Sequence, residues 1–169
     1  ATFLPVFFSA GCGTIQPSFQ PRSEIEYSIV LMVTGLSSML RVQAASHGAG
    51  QIVISGGAPA GRALVGSSAV GMNEKTRLDG DRLEVRIEAG ASFVPFVGPS
   101  DGTWRFQLTQ EVPVTLEVET GASQLDMDLT DVLASHIELN TGASNSHVVM
   151  PSRGVSLLDL EAGAAAINI

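Results

Sequence analysis

Cysteine is nearly absent. The one copy in 169 residues, Cys12, excludes an intrachain disulfide and a zinc cluster built on cysteines. Basic residues are scarce and scattered. Nine Lys and Arg stand against seventeen Asp and Glu, with no basic cluster, which argues against nucleic acid as a partner. No apolar run approaches the roughly 20 residues that a membrane-spanning helix needs; Ile29-Val30-Leu31-Met32-Val33 is broken by Thr34 and Gly35. Helix signals are weak as well, since no long stretch carries a capped apolar stripe at the helical period. The motifs of common chemistries are missing: no Gly-x-Ser-x-Gly elbow, no His-Glu-x-x-His, no Cys–His pair. The glycine-rich Gly56-Gly57-Ala58-Pro59-Ala60-Gly61 lacks the Gly-Lys-Ser/Thr of a phosphate loop and reads as a turn.

What is present is apolar, turn-rich and periodic. With 44% hydrophobic and 15% charged residues, 18 Gly and 8 Pro, the chain has the composition of about one core-forming domain. The step Thr120-Gly121-Ala122-Ser123 returns as Thr141-Gly142-Ala143-Ser144 and, after the same interval again, as Ala162-Gly163-Ala164-Ala165. A looser copy, Ala89-Gly90-Ala91-Ser92, lies upstream of the first at a longer interval. Aligned on the 21-residue repeat, Leu116, Ile137 and Leu158 fall in one column, Val118, Leu139 and Leu160 in another, and Met127, Val148 and Ile169 in a third. Apolar positions alternate along each run, as in strands with one buried face.

Two short strands joined by a glycine corner describe one coil of a stack. The glycine is required where a corner needs positive φ or close backbone approach. The expected fold is therefore all-β and β-solenoid-like, a single-stranded β-helix or toast-rack arrangement with 21-residue coils in its C-terminal part. Its rival is a β-sandwich with recurring glycine turns. A leucine-rich repeat is excluded by the lack of its Leu-x-x-Leu-x-Leu-x-x-Asn pattern.

Upstream, residues 1–12 run from an apolar stretch into Ser9-Ala10-Gly11-Cys12. This resembles the tail of a bacterial lipoprotein signal peptide, in which small residues precede a lipidated Cys. The basic segment that would precede the apolar stretch is not in the sequence. Residues 13–24, with Pro17 and Pro21, suit a tether. Residues 25–169 are read as the solenoid-like domain, from a chain cut at both ends. It includes a strand up to Val33, a second through Leu40 and Val42, and a hairpin at Asp79-Gly80. Trp104, Phe106 and Leu108 alternate in a further strand, with Trp104 packing inside.

Several segments together resemble the bacterial toast-rack family of extracytoplasmic domains, akin to those of cell-envelope stress-response proteins. They are Gly48 to Gly57 (Gly-Ala-Gly-Gln-Ile-Val-Ile-Ser-Gly-Gly), Trp104 to Leu108, Val114 to Leu129 ending Leu-Asp-Met-Asp-Leu, and Met150-Pro151. The resemblance spans roughly residues 40–169. It implies an adhesion or interaction module with no catalytic residues.

Charge supplies the candidate surface. Residues 1–110 hold eight basic and eight acidic residues, whereas 111–169 hold nine acidic residues and only Arg153, so the net charge of −8 belongs to the repeats. The repeat register sets Glu117, Glu138 and Asp159 in one column and Glu119, Asn140 and Glu161 in another, led by Glu88. Both alternate with apolar positions and should form an acidic wall, either a solvated face or a binding face for cations or basic peptides. Asp126 and Asp128, with His147 and Asn168, form a possible polar ladder; His47 and His136 read as surface residues.

The expected function is a non-enzymatic envelope module, exported to the cell surface or periplasm and held at the membrane only through lipidated Cys12. Its partner would be a protein or glycan, in stress sensing or adhesion, with no cofactor, metal or nucleic acid. The alternatives are a β-helix enzyme acting on polysaccharide and a structural solenoid that assembles end to end.

Overall fold

A strand can bury every second side chain on one face and leave the others in water. The computed structural model puts strands at the alternating runs. It describes residues 25–30, 38–46, 50–68, 72–89 and 103–169. Cys12, the 13–24 tether, Leu31–Val33 and the corners at Gly48 and Gly90 lie outside the described residues. Within them run β1 (Ile25–Val30), β2 (Met39–Ser46), β3 (Gly50–Gly56), β4 (Arg62–Ser68), β5 (Met72–Asp79), β6 (Arg82–Ala89) and β7 (Thr103–Leu108). These are followed by β8 (Val114–Thr120), β9 (Ser123–Asp128), β10 (Ala134–Thr141), β11 (Asn145–Val149), β12 (Leu157–Ala162) and β13 (Ala166–Asn168). There is no helix among the described residues.

Two sheets result. One has seven strands in the order β1-β4-β7-β3-β9-β11-β13, the other six in the order β12-β10-β8-β2-β6-β5. Five strand pairs recur across them: β6/β7, β2/β3, β8/β9, β10/β11 and β12/β13. Each gives its first strand to the six-stranded sheet and its second to the seven-stranded one, in the same spatial order. Neighbouring pairs run parallel throughout. In the last three pairs the ladder keeps the interval of the sequence repeat: Ile137 lies beside Leu116 and Leu158, and Ser146 beside Leu125 and Ile167. Antiparallel strands close the far end, β5 folding onto β6 through the Gly80 turn (φ 62°) and β4 with β1 onto β7.

Chain order and spatial order part company upstream. The strand beside β8 is β2, which sets Leu116 next to Val42, far outside the repeat interval, and β6 lies beyond it. The Glu88 row of the sequence alignment therefore has a member that the alignment leaves out: Ala45 sits between Glu88 and Glu119. No recurring interval links Val42 to Leu116, so self-comparison cannot reveal that neighbour.

The inward side chains of both sheets form one buried cluster, including Val42, Val85, Leu116, Val118, Ile137 and Leu139 from one sheet and Ile52, Ile54, Leu64, Phe106, Leu125 and Met127 from the other. Trp104 belongs to it as well, edge-on to Phe106 at 6.0 Å and 86°. Opposite Phe106 across the β4–β7 ladder stands Gly66, where a Cβ would lie 2.6 Å from the ring. The glycine leaves the ring its place, a sheet-interior pairing in which the aromatic covers the bare backbone.

The corners between the two sheets stack more closely than a Cβ ordinarily sits. The Gly142 N–H donates to the Thr120 carbonyl at 3.0 Å and the Gly163 N–H to the Thr141 carbonyl at 2.9 Å. A Cβ on Gly142 would sit 3.1 Å from the Gly121 carbonyl oxygen, and one on Gly163 3.2 Å from that of Gly142. Neither glycine has positive φ. Close approach, rather than backbone handedness, is what the repeat selects.

Candidate functional site

The groups singled out by charge occupy the outer face of the six-stranded sheet. Residues 117 and 119 of β8 alternate with buried Leu116 and Val118, and residues 138 and 140 of β10 with buried Ile137 and Leu139, so they face outward. Register then assembles rows across strands about 4.8 Å apart. One row reads Asp159, Glu138, Glu117, Gln43, Arg86; the next reads Glu161, Asn140, Glu119, Ala45, Glu88. A third reads Leu157, His136, Thr115, Arg41, Glu84.

The face is polarised rather than uniformly acidic. On β8, β10 and β12 its Asp and Glu side chains have no Lys or Arg among them, only His136 and Asn140; Arg41, Arg82 and Arg86 lie on β2 and β6. Where the two halves meet, the acid row is partly neutralised within the sheet. Glu117 accepts hydrogen bonds from the Gln43 amide and from Arg41 Nη2, the latter an ion pair at 3.1 Å. The Gln43 hydrogen bond, followed by that of Arg41 and its charge, holds the Glu117 carboxyl below its ordinary value of 4.5 against the opposing effect of burial. Glu138 accepts from the Asn140 amide at 3.3 Å, while Asp159 and Glu161 are exposed. On β6, Arg86 pairs with Glu88 at 2.7 Å and Lys75 approaches the same carboxylate at 3.8 Å.

The Glu117 contacts have a testable consequence. Its folded pKa is depressed, so its contribution is present above the unfolded value and is lost as pH falls through the folded one. Glu117→Gln is expected to lower stability by up to about 1 kcal/mol near neutral pH. The difference from the parent should close as pH falls below the folded value, and urea titrations from neutral to strongly acid pH measure it directly. A difference that persists unchanged at strongly acid pH would mean that the Glu117 contacts are not the cause.

Asp126, Asp128 and His147 stand on the outer face of the other sheet. Asp126 pairs in register with His147, and His147 with Asn168. Asp128 lies one step along, beside Ser55 and Val149. It is engaged locally, accepting from the Thr130 N–H at 3.0 Å and hydroxyl at 2.6 Å; these bonds, more than the nearby His147, lower its pKa. Asp128 thereby shapes the turn after β9. No three His, Cys, Asp or Glu side chains among the described residues converge as metal ligands would.

Sequence reasoning did not single out Arg41, Gln43 or Arg82. Their relation to β8 and β10 depends on β2 and β6 joining the stack out of chain order. With Thr115, Leu116, Glu117, His136 and Glu138, Arg41 and Arg82 line a depression of about 310 Å³.

Comparison with known proteins follows the fold. Residues 37–169 match the family model described as the N-terminal domain of toast_rack, DUF2154. The crystal structure of a candidate cell adhesion protein from Clostridium sporogenes superposes with a TM-score of 0.59 at 13% identity, over 86% of this chain and 98% of that one. At that identity the likeness is one of fold. No curated protein matches significantly.

Proposed function

The chain belongs to the family of the N-terminal domain of toast_rack, and on that premise we propose that it is a non-enzymatic interaction module of the bacterial cell envelope. We read its strand pairs as coils of a β-solenoid, with the sequence repeat as the coil in the C-terminal part, exported and lipid-anchored through Cys12. The cell-adhesion description of the Clostridium sporogenes protein lends support to adhesion as the task, with envelope stress sensing beside it. The observation that carries the reading is the layout of charge on the six-stranded sheet. Its carboxylates stand in rows across paired strands, as a contact face requires. The partner is a protein or glycan that meets Glu138, Asp159, Glu119 and Glu161 with basic or hydrogen-bond-donating groups.

Binding of the purified chain to isolated cell envelopes tests the module. Glu138→Lys combined with Asp159→Lys should weaken binding at least about ten-fold, corresponding to about 1.4 kcal/mol. No binding by the parent chain would sink the reading, and full binding by the reversed variant would remove the acidic rows from it. Metabolic labelling with palmitate, lost in Cys12→Ser, tests the anchor separately.

A further inference from the structure

The depression between β2, β6, β8 and β10 holds groups that the acidic-row reading does not use. Its floor is low because Thr115, a small side chain, stands between Arg41 and His136 in their row. Arg82 lines one side, and its side chain makes no ion pair or hydrogen bond among the described residues. Arg41 gives one terminal nitrogen to Glu117, yet its Nε–H is buried and has no acceptor among them. Two guanidinium groups thus line one concavity, Arg41 held by Glu117 and Arg82 with its fork unengaged among the described residues, and a guanidinium's fork matches a planar carboxylate.

The opposite wall carries Glu138, with Glu117 between it and Arg41, and Asp159 stands one strand beyond the lining. These accept hydrogen bonds from neutral hydroxyls and repel further negative charge, so a polyanion is disfavoured while an isolated carboxylate among hydroxyls fits. The site lies on the face of the sheet, where β8 is already paired on both sides, so an incoming peptide finds no strand edge to extend. A sugar ring needs none.

We propose that this depression binds an acidic sugar unit, its carboxylate between Arg41 and Arg82 and its ring hydroxyls on Glu138, Thr115 and His136. The proposal rests on the interaction-module reading and names the ligand class for one part of that face. Arg82 sets specificity for the acid.

Backbone-amide NMR titration of the full chain with methyl β-D-glucuronide, methyl β-D-glucoside and inorganic sulfate at equal ionic strength tests it. Saturable shifts are expected around Arg41, Thr115 and His136 with the glucuronide, at least about ten-fold weaker with the glucoside, and weaker by a similar factor in Arg82→Gln. Arg82 is exposed, so this variant should fold. Equal shifts with sulfate would reduce the depression to a generic anion site. Unsaturable shifts with glucuronide, or unchanged affinity in Arg82→Gln, would also overturn the proposal. If envelope binding persists in any of these cases, the module reading stands and only the ligand assignment falls.

Discussion

Leu116→Ala is expected to lower unfolding free energy by about 3–4 kcal/mol, while Leu158→Ala, in the same row two strands away, should cost about 1 kcal/mol. The two residues have the same chemistry and the same position in their repeats. What differs is their place in the stack. Leu116 is fully buried, with Val42 on one side and Ile137 on the other. Its truncation leaves a cavity that neighbours fixed on both sides cannot close, so the transfer and cavity losses add. Leu158 has Ile137 on one side only and is half-buried. Urea unfolding of the two variants and of Ile137→Ala decides it. Ile137, buried like Leu116 and flanked on both sides, should group with it. Equal costs for Leu116 and Leu158 would contradict stacking in this order.

The same contrast explains what the sequence could and could not disclose. The rows 116/137/158 and 125/146/167 were legible because chain order and spatial order coincide there, so that a constant interval marks each neighbour. The hairpin at Asp79-Gly80 was legible from turn chemistry alone. The insertion of β2/β3 between β6/β7 and β8/β9 was not, because strands so distant in the chain, at an interval that never recurs, leave no periodic trace. That one displacement bears most on the candidate site. It sets Arg41 and Gln43 against Glu117, so an expected column of repelling carboxylates has its innermost member neutralised, and the acidic surface shifts outward to Glu138, Asp159 and Glu161. It also places Arg41 and Arg82 in one depression with His136, a residue whose sequence context marked it as ordinary surface. Asp128 shows a different gap: the repeat register disclosed its place beside the 147/168 row, but not the hydrogen bonds from Thr130 that give it a task in the turn after β9.

Gly66→Ala should be the most damaging single-methyl addition in the seven-stranded sheet, costing about 3 kcal/mol. The expectation runs against backbone propensity. Glycine inside a strand is ordinarily inferior to alanine by roughly 0.5–1 kcal/mol, so the change would stabilise an open position. Here the new Cβ would lie 2.6 Å from Phe106 Cδ1 and 2.9 Å from Cε1. The ring cannot swing away cheaply, because Phe106 is 3% exposed and packs edge-on against buried Trp104. Phe106→Val removes both ring atoms and leaves a cavity, at an expected cost of about 3 kcal/mol. In the double variant the methyl group occupies space the ring has vacated, so the clash is absent. The combined loss should then fall short of the sum by at least about 1 kcal/mol. Guanidinium unfolding of the four proteins measures that coupling. Additive losses would show that ring and glycine do not share this contact, and a Gly66→Ala variant as stable as its parent would show that the ring is free to move.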